Sequence, residues 1–104
     1  MTATLVVQPE AEADLKEAYR WYQAQHEGLG HDLLTEVSRV FSRIAVQPQR
    51  YPLVHGEARR ALLRRFPYVV LYVARAERVF VLAVLHQRRN PNIARARSRR
   101  FDPD

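Results

Sequence analysis

The chain is 104 residues long, 47% hydrophobic, free of cysteine, and carries a net charge of +6. That length fits one domain with a modest core. The lack of cysteine excludes disulfides and thiolate chemistry and makes a reducing cytoplasm the natural compartment. The charge is unevenly placed: residues 1–55 hold five basic against seven acidic side chains, a net −2. Residues 56–104 hold twelve arginines against four acids, a net +8. Sixteen of the seventeen cations are arginine, Lys16 being the exception. A planar, weakly hydrated guanidinium suits phosphate and carboxylate recognition, so the C-terminal half is fitted to a polyanion or an acidic protein partner.

The first residues, MTATLVVQPEAEADL, lack a basic stretch followed by a long apolar run, so no signal peptide is expected. Leu5–Gln8 reads as a short strand, ended by Pro9, which also opens a helix well. Glu10, Glu12 and Asp14 follow in the first turn, where the helix dipole favours negative charge. Ala11, Leu15, Ala18 and Tyr22 then recur on one helical face. Gly28 and Gly30 break that helix. A second periodic run, Leu33 or Leu34 with Val37, Phe41 and Ile44, places Arg39, Ser42 and Arg43 on the other side and stops at Gln47-Pro48.

Pro48–Gly56 reads as connector and Ala58–Arg65 as a half-exposed strand. After Pro67, Tyr68–Ala74 is β-branched and aromatic enough for a central strand. Arg75–Arg78 forms a polar turn, and Val79–Leu85 is apolar enough for a covered strand. Neither Val69–Ala74 nor Val79–Leu85 is long enough to span a bilayer, so no membrane association is expected. After His86 the chain turns polar and basic, giving a tail from about residue 87 whose last residues are expected to be disordered. The order β-α-α-β-β-β predicts an α+β fold: a helical hairpin on one face of a mostly antiparallel four-stranded sheet. Residues 1–104 are read as a single domain.

No metal or other cofactor is expected. His26, His31, His55 and His86 form no ligand motif, and His26 and His31 straddle a Gly-Leu-Gly break. No serine or threonine sits in a nucleophile elbow, and Gly28-Leu29-Gly30 follows a helix where a phosphate loop would follow a strand. What remains is Arg59, Arg60, Arg64 and Arg65 on one predicted strand, and His86-Gln87-Arg88-Arg89-Asn90 at the end of another. On neighbouring strands these clusters would line one sheet edge. Arginine stabilises a phosphoryl transition state, and histidine serves as acid or base near neutral pH. The same groups bind the carboxylates of a partner peptide, and His86 also reads as a structural residue at a strand end. Of the aromatics Tyr19, Trp21, Tyr22, Phe66, Tyr68 and Tyr72, the pattern assigns most to the core. Trp21 flanks the apolar stripe and is a candidate partner contact.

Ala13-Asp14-Leu15, Trp21-Tyr22, Gly28-Leu29-Gly30, Phe66-Pro67-Tyr68 with Tyr72, and Val84-Leu85-His86 with Arg88-Arg89-Asn90-Pro91 together resemble the RelE/ParE toxins of type II toxin-antitoxin modules, from about Leu5 to Arg97. The resemblance implies a helical hairpin on an antiparallel sheet and a protein antitoxin that wraps the toxin, with Trp21 and Tyr68 as candidate antitoxin contacts. It implies one of two targets. RelE-like members cleave mRNA on the ribosome, and here such an activity would draw on Arg60, Arg64, Arg65, His86 and Arg88. ParE-like members poison DNA gyrase without enzymatic chemistry of their own. Two positions that carry polar catalytic groups in RelE-like toxins fall on Val69 and near Ile93, which neither donate to a phosphate nor relay a proton. The Val-Leu-His-Gln run at the last strand's end is closer to the ParE-like branch. The favoured expectation is therefore a cytoplasmic gyrase inhibitor, with Arg59, Arg60, Arg64, Arg65, His86, Arg88, Arg89 and Asn90 facing the target. A ribosome-dependent ribonuclease and an inactive member kept for antitoxin binding remain as alternatives.

Overall fold

The computed structural model describes residues 2–89 and 91–101. The chain runs β1 (Thr4–Val7), α1 (Pro9–Gln25), α2 (Leu29–Val46), a 3-10 turn (Pro48–Arg50), β2 (Leu53–His55), β3 (Ala58–Leu62), β4 (Tyr68–Arg75), β5 (Arg78–His86) and α3 (Pro91–Phe101). Pro9 stands at the start of α1 with Glu10 and Glu12 in the first turn, as the sequence predicts. The buried side of α1 is small, with Ala11 and Ala18 fully enclosed, so the helix lies close against the sheet. In α2, Leu33, Val37, Val40 and Ile44 recur at spacings of four, three and four and are all buried.

The two helices are clasped at their turn by a side chain from α1. Gln23 Oε1 accepts the backbone N–H groups of Gly28 at 3.2 Å and Gly30 at 3.0 Å, doing for α2 what an N-cap side chain usually does. Gly28 takes a left-handed φ of 91°, which favours glycine. At Gly30 the requirement is space: a Cβ there would lie 2.8 Å from both the carbonyl oxygen and the ring of Tyr19.

The sheet departs from the expected one. It has five strands, in the order β1-β5-β4-β3-β2, and is mixed rather than mostly antiparallel across four. β1 lies parallel to β5, with Val7 opposite Val81, whereas the other three pairings are antiparallel. The fifth strand, β2, was hidden in the presumed connector because it is three residues long and sits between Pro52 and Gly56. β3 ends at Leu62, three residues before the predicted end, and Arg64 and Arg65 belong to the turn that follows.

A second departure lies on the other face. The helical hairpin covers one side of the sheet, over a core that includes Tyr72, Val70, Val81 and Val84. The opposite side carries a smaller cluster of Leu71, Val73, Leu82, Ala83 and Leu85, covered in part by Ile93, Ala94 and Phe101 of α3. A bulge in β5 makes this possible: Leu71 pairs with Ala83 and Tyr72 with Val81, leaving Leu82 as the extra residue. The residues read as a basic tail are therefore an ordered helix through Phe101. The predicted disordered end falls at 102–104, outside the described residues. No described helix is long and apolar enough to cross a membrane.

Candidate functional site

The arginines that sequence grouped together divide into two sets. Arg59 alternates onto the hairpin face of β3 and is occupied there. Its guanidinium donates to the carbonyls of Gln49 at 3.1 Å and Tyr51 at 2.6 Å and to Oε1 of Gln49 at 3.0 Å, pinning the 3-10 turn to the sheet. Arg64 and Arg65 sit in the β3–β4 turn, where Glu36 of α2 accepts both of their backbone N–H groups. The Arg65 side chain pairs with Asp32 at 3.2 Å and lies over the Phe66 ring. The turn is thus tied to the helical hairpin, and it adjoins the end of β5, where the Gln87 N–H donates to the Pro67 carbonyl at 2.8 Å.

Arg60 points the other way. With His55, His86 and Arg89 it lines a cleft of about 370 Å³ on the α3 side of the sheet, walled by Leu62, Val69 and Leu85 and closed by Pro91 and Ala94 of α3. The side chains of Arg60 and Arg89 make no hydrogen bond or ion pair with any described residue, so both remain available to an anion. His86 is fixed differently. Its Nδ1 accepts the Arg88 N–H at 3.0 Å, so the neutral ring carries its proton on Nε2 and presents a donor there. Its ring packs edge-on to Tyr68 at 5.4 Å. The cleft therefore combines cationic and N–H donors with an apolar wall. Val69 occupies that wall, and Ile93 is packed into the core under α3. Arg88 is exposed beside the cleft; Asn90 lies outside the described residues. Sequence reading weighs His55 only as a metal ligand and does not place it with the target-facing residues, because its strand reads as connector.

His86 and Arg89 also border a second pocket, of about 300 Å³, between α1 and the end of β5. Here Trp21 and Tyr68, the two residues singled out as partner contacts, come together with Tyr22 and Glu17. Trp21 is 56% exposed, and it stands edge-on to Tyr22 at 4.9 Å, which in turn meets Tyr68 at 6.0 Å. Burial pushes the Tyr68 hydroxyl's pKa up, helped by the negative charge of Glu17 and Asp14 and opposed by Arg89.

Asp14, which also lines this second pocket, belongs to a buried ion pair that sequence reading missed. Asp14 is 7% exposed and takes a two-pronged contact from Arg97 of α3, Nη1 to Oδ2 at 2.7 Å and Nη2 to Oδ1 at 3.1 Å. Oδ2 also accepts the Val84 N–H at 3.0 Å, and Arg97 donates to the Leu82 carbonyl at 3.0 Å. These are backbone groups of β5 beyond the point where β1 ends, so two side chains take over the work of a missing strand. The hydrogen bond to Asp14 raises the Arg97 pKa, against the effect of burial. Asp14 had been read as a dipole residue of the first turn, and Arg97 as tail. Period sets Ile93, Ala94, Arg97, Ser98 and Phe101 on one helical face behind Pro91, but it does not name Asp14 as the partner of Arg97.

A family model described as the ParE toxin of the type II toxin-antitoxin system parDE matches residues 5–91. No curated protein matches the chain significantly. Among solved structures, a chain from the chromosomal ParDE TA system of P. aeruginosa superposes with a TM-score of 0.73 at 15% identity, covering 82% of this chain and 96% of that one. At that identity the likeness is one of fold.

Proposed function

The chain belongs to the ParE toxin family of type II toxin-antitoxin systems, and on that footing we propose that this toxin acts by binding: it holds DNA gyrase through the cationic cleft beside α3 and is silenced by a cognate protein antitoxin. The supporting observation is the composition of the cleft. Arg60 and Arg89 are free to contact an anionic surface, while Val69 and Leu62 supply apolar contact on the same wall. Such a mixture of arginine and exposed aliphatic surface suits a protein interface. On that wall Leu62, Val69 and Leu85 offer a phosphodiester no acid, base or hydrogen-bond donor, so the polar groups of the cleft are confined to Arg60, Arg89, Gln87 and the two histidines, His55 and His86. With gyrase as target, the toxin acts in the cytoplasm as a single domain that includes α3.

The antitoxin partner follows from the module to which the family belongs. Within the toxin, the exposed Trp21 and half-buried Tyr68 face a pocket distinct from the cleft yet sharing His86 and Arg89 with it. An antitoxin seated on Trp21 would therefore touch or cover the residues that hold the target, which gives neutralisation a direct steric route. The test is a supercoiling assay with purified toxin, gyrase, ATP and relaxed plasmid, run beside primer extension on mRNA from translating ribosomes. Loss of supercoiling, relieved by antitoxin, with intact mRNA is the expected result. Supercoiling untouched at saturating toxin, with codon-phased mRNA cuts, would replace gyrase inhibition with ribonuclease action.

A further inference from the structure

The pocket between α1 and the end of β5 sets aromatic rings beside an unpaired carboxylate. Its walls are Trp21, Tyr22 and Tyr68, with Glu17 at the rim. Successive rings stand steeply to one another, Trp21 to Tyr22 at 86° and Tyr22 to Tyr68 at 62°, so they form adjoining walls instead of a stack. Glu17 makes no hydrogen bond or ion pair with any described residue. Behind it, Asp14 is satisfied by Arg97 and Val84. An unpaired carboxylate beside aromatic faces is complementary to one kind of group, a cation whose flat or rounded head is attracted to π-faces while its charge meets the acid.

We propose that this pocket receives an arginine side chain from the antitoxin, stacked on Trp21 and Tyr68 and paired with Glu17. The inference rests on the toxin reading for the source of that side chain, but the pocket's preference for a guanidinium does not. Its volume of about 300 Å³ accommodates the head and stem of one long side chain. Arginine fits better than lysine because its planar head stacks and forks at once. The charge arrangement also makes sense of an otherwise awkward surface. An antitoxin segment drawn by the +8 half of this chain is acidic on the whole, and one arginine within it would fix its register by pairing with Glu17. Arg89, on the pocket's border, repels a wrongly placed cation at the cleft side and leaves Glu17 as the favourable end.

The sequence holds a single tryptophan, and it lines this pocket, so its emission reports occupancy directly. Titration of the free toxin with N-acetyl-arginine amide is expected to shift Trp21 emission saturably in the millimolar range. N-acetyl-glutamine amide should give no such curve, and Glu17→Gln should weaken the arginine response by about tenfold or more. Equal responses to the arginine and glutamine probes, or no effect of Glu17→Gln, would overturn the pocket's assignment. In a second arm the cognate antitoxin is titrated into wild-type and Glu17→Gln toxin. A tenfold or larger loss of affinity supports the antitoxin as the source of the arginine, and unchanged affinity overturns it. An antitoxin that fails to bind even the wild-type toxin would strike at the toxin reading itself, while the fluorescence arm still decides what the pocket takes.

Discussion

The two faces of the sheet are held by different physics. Under the helical hairpin, Leu33, Val37, Ile44, Val70, Tyr72 and Val81 interlock as an apolar core, and the charged residues stay at its margin. Under α3 the apolar cluster is smaller, and the helix is fastened at a few charged points. Arg97 meets Asp14, Arg100 meets Glu10 at 3.2 Å, and Arg75 donates to the Phe101 carbonyl at 3.2 Å with its guanidinium over that ring. A core made of many weak contacts degrades gradually when one is lost. A face made of few strong ones fails at a single residue, and the N-terminal end of α3, away from those fastenings, is where the cleft opens.

The sharpest way to break this contrast is to remove one fastening. Arg97→Ala leaves Asp14 as a buried, half-partnered charge and is expected to cost about 3–5 kcal/mol in urea unfolding. Amide exchange should quicken in α3 while α2 stays protected. A loss below about 1 kcal/mol, with α3 exchange unchanged, would mean the apolar cluster alone holds the helix. On the hairpin face the most vulnerable point is the tight turn. Gly30→Ala puts a Cβ 2.8 Å from the Tyr19 carbonyl oxygen, and overpacking of this kind costs about 1–3 kcal/mol. Exchange should then rise between α1 and α2 and leave α3 alone, the reverse of the first pattern.

A smaller effect sharpens the role of burial. Tyr72 is fully enclosed and donates to the Pro48 carbonyl at 2.6 Å. Burial, with a contribution from Tyr51 and opposition from Arg59, pushes its hydroxyl up from 10.0 to about 12. The folded chain holds this proton more tightly than the unfolded chain, so the stability it contributes is complete below pH about 10 and is lost as pH rises toward about 12. Tyr72→Phe should cost about 1 kcal/mol at neutral pH and should flatten the decline across that alkaline window. An alkaline limb of the same slope in the variant would assign the decline to other groups.

The hairpin face was largely legible in the sequence, and the α3 face was not, for one reason. Periodicity reports where apolar side chains must be buried, so the stripe through Val37 and Ile44 and the run Val79–Leu85 declared themselves. The pattern is silent about a polar residue buried by pairing, which is why Asp14 and Arg97 were read separately, one as a dipole residue and the other as tail. Strand register is equally hidden. Arg59 and Arg60 are neighbours in sequence but project to opposite faces, so one is spent on the 3-10 turn and the other lines the cleft. Arg64 and Arg65 lie beyond the strand, and no feature of RRFP announced that Glu36 would hold them. Sequence reading would gather the two basic clusters on neighbouring strands; β4 lies between β3 and β5, and only Arg60, His86 and Arg89 meet at the cleft, joined by His55 from an unpredicted strand.

The central claim is that the arginines of the cleft, and not those of the β3–β4 turn, hold the target. It is tested most directly by titrating gyrase supercoiling with wild-type toxin, the Arg60→Ala/Arg89→Ala double variant and Arg64→Ala. The expected result is a half-inhibitory concentration raised by about tenfold or more in the double variant and little changed in Arg64→Ala, with all three folded by circular dichroism. Equal inhibition by the double variant and the wild type, or a larger loss in Arg64→Ala, would contradict the account.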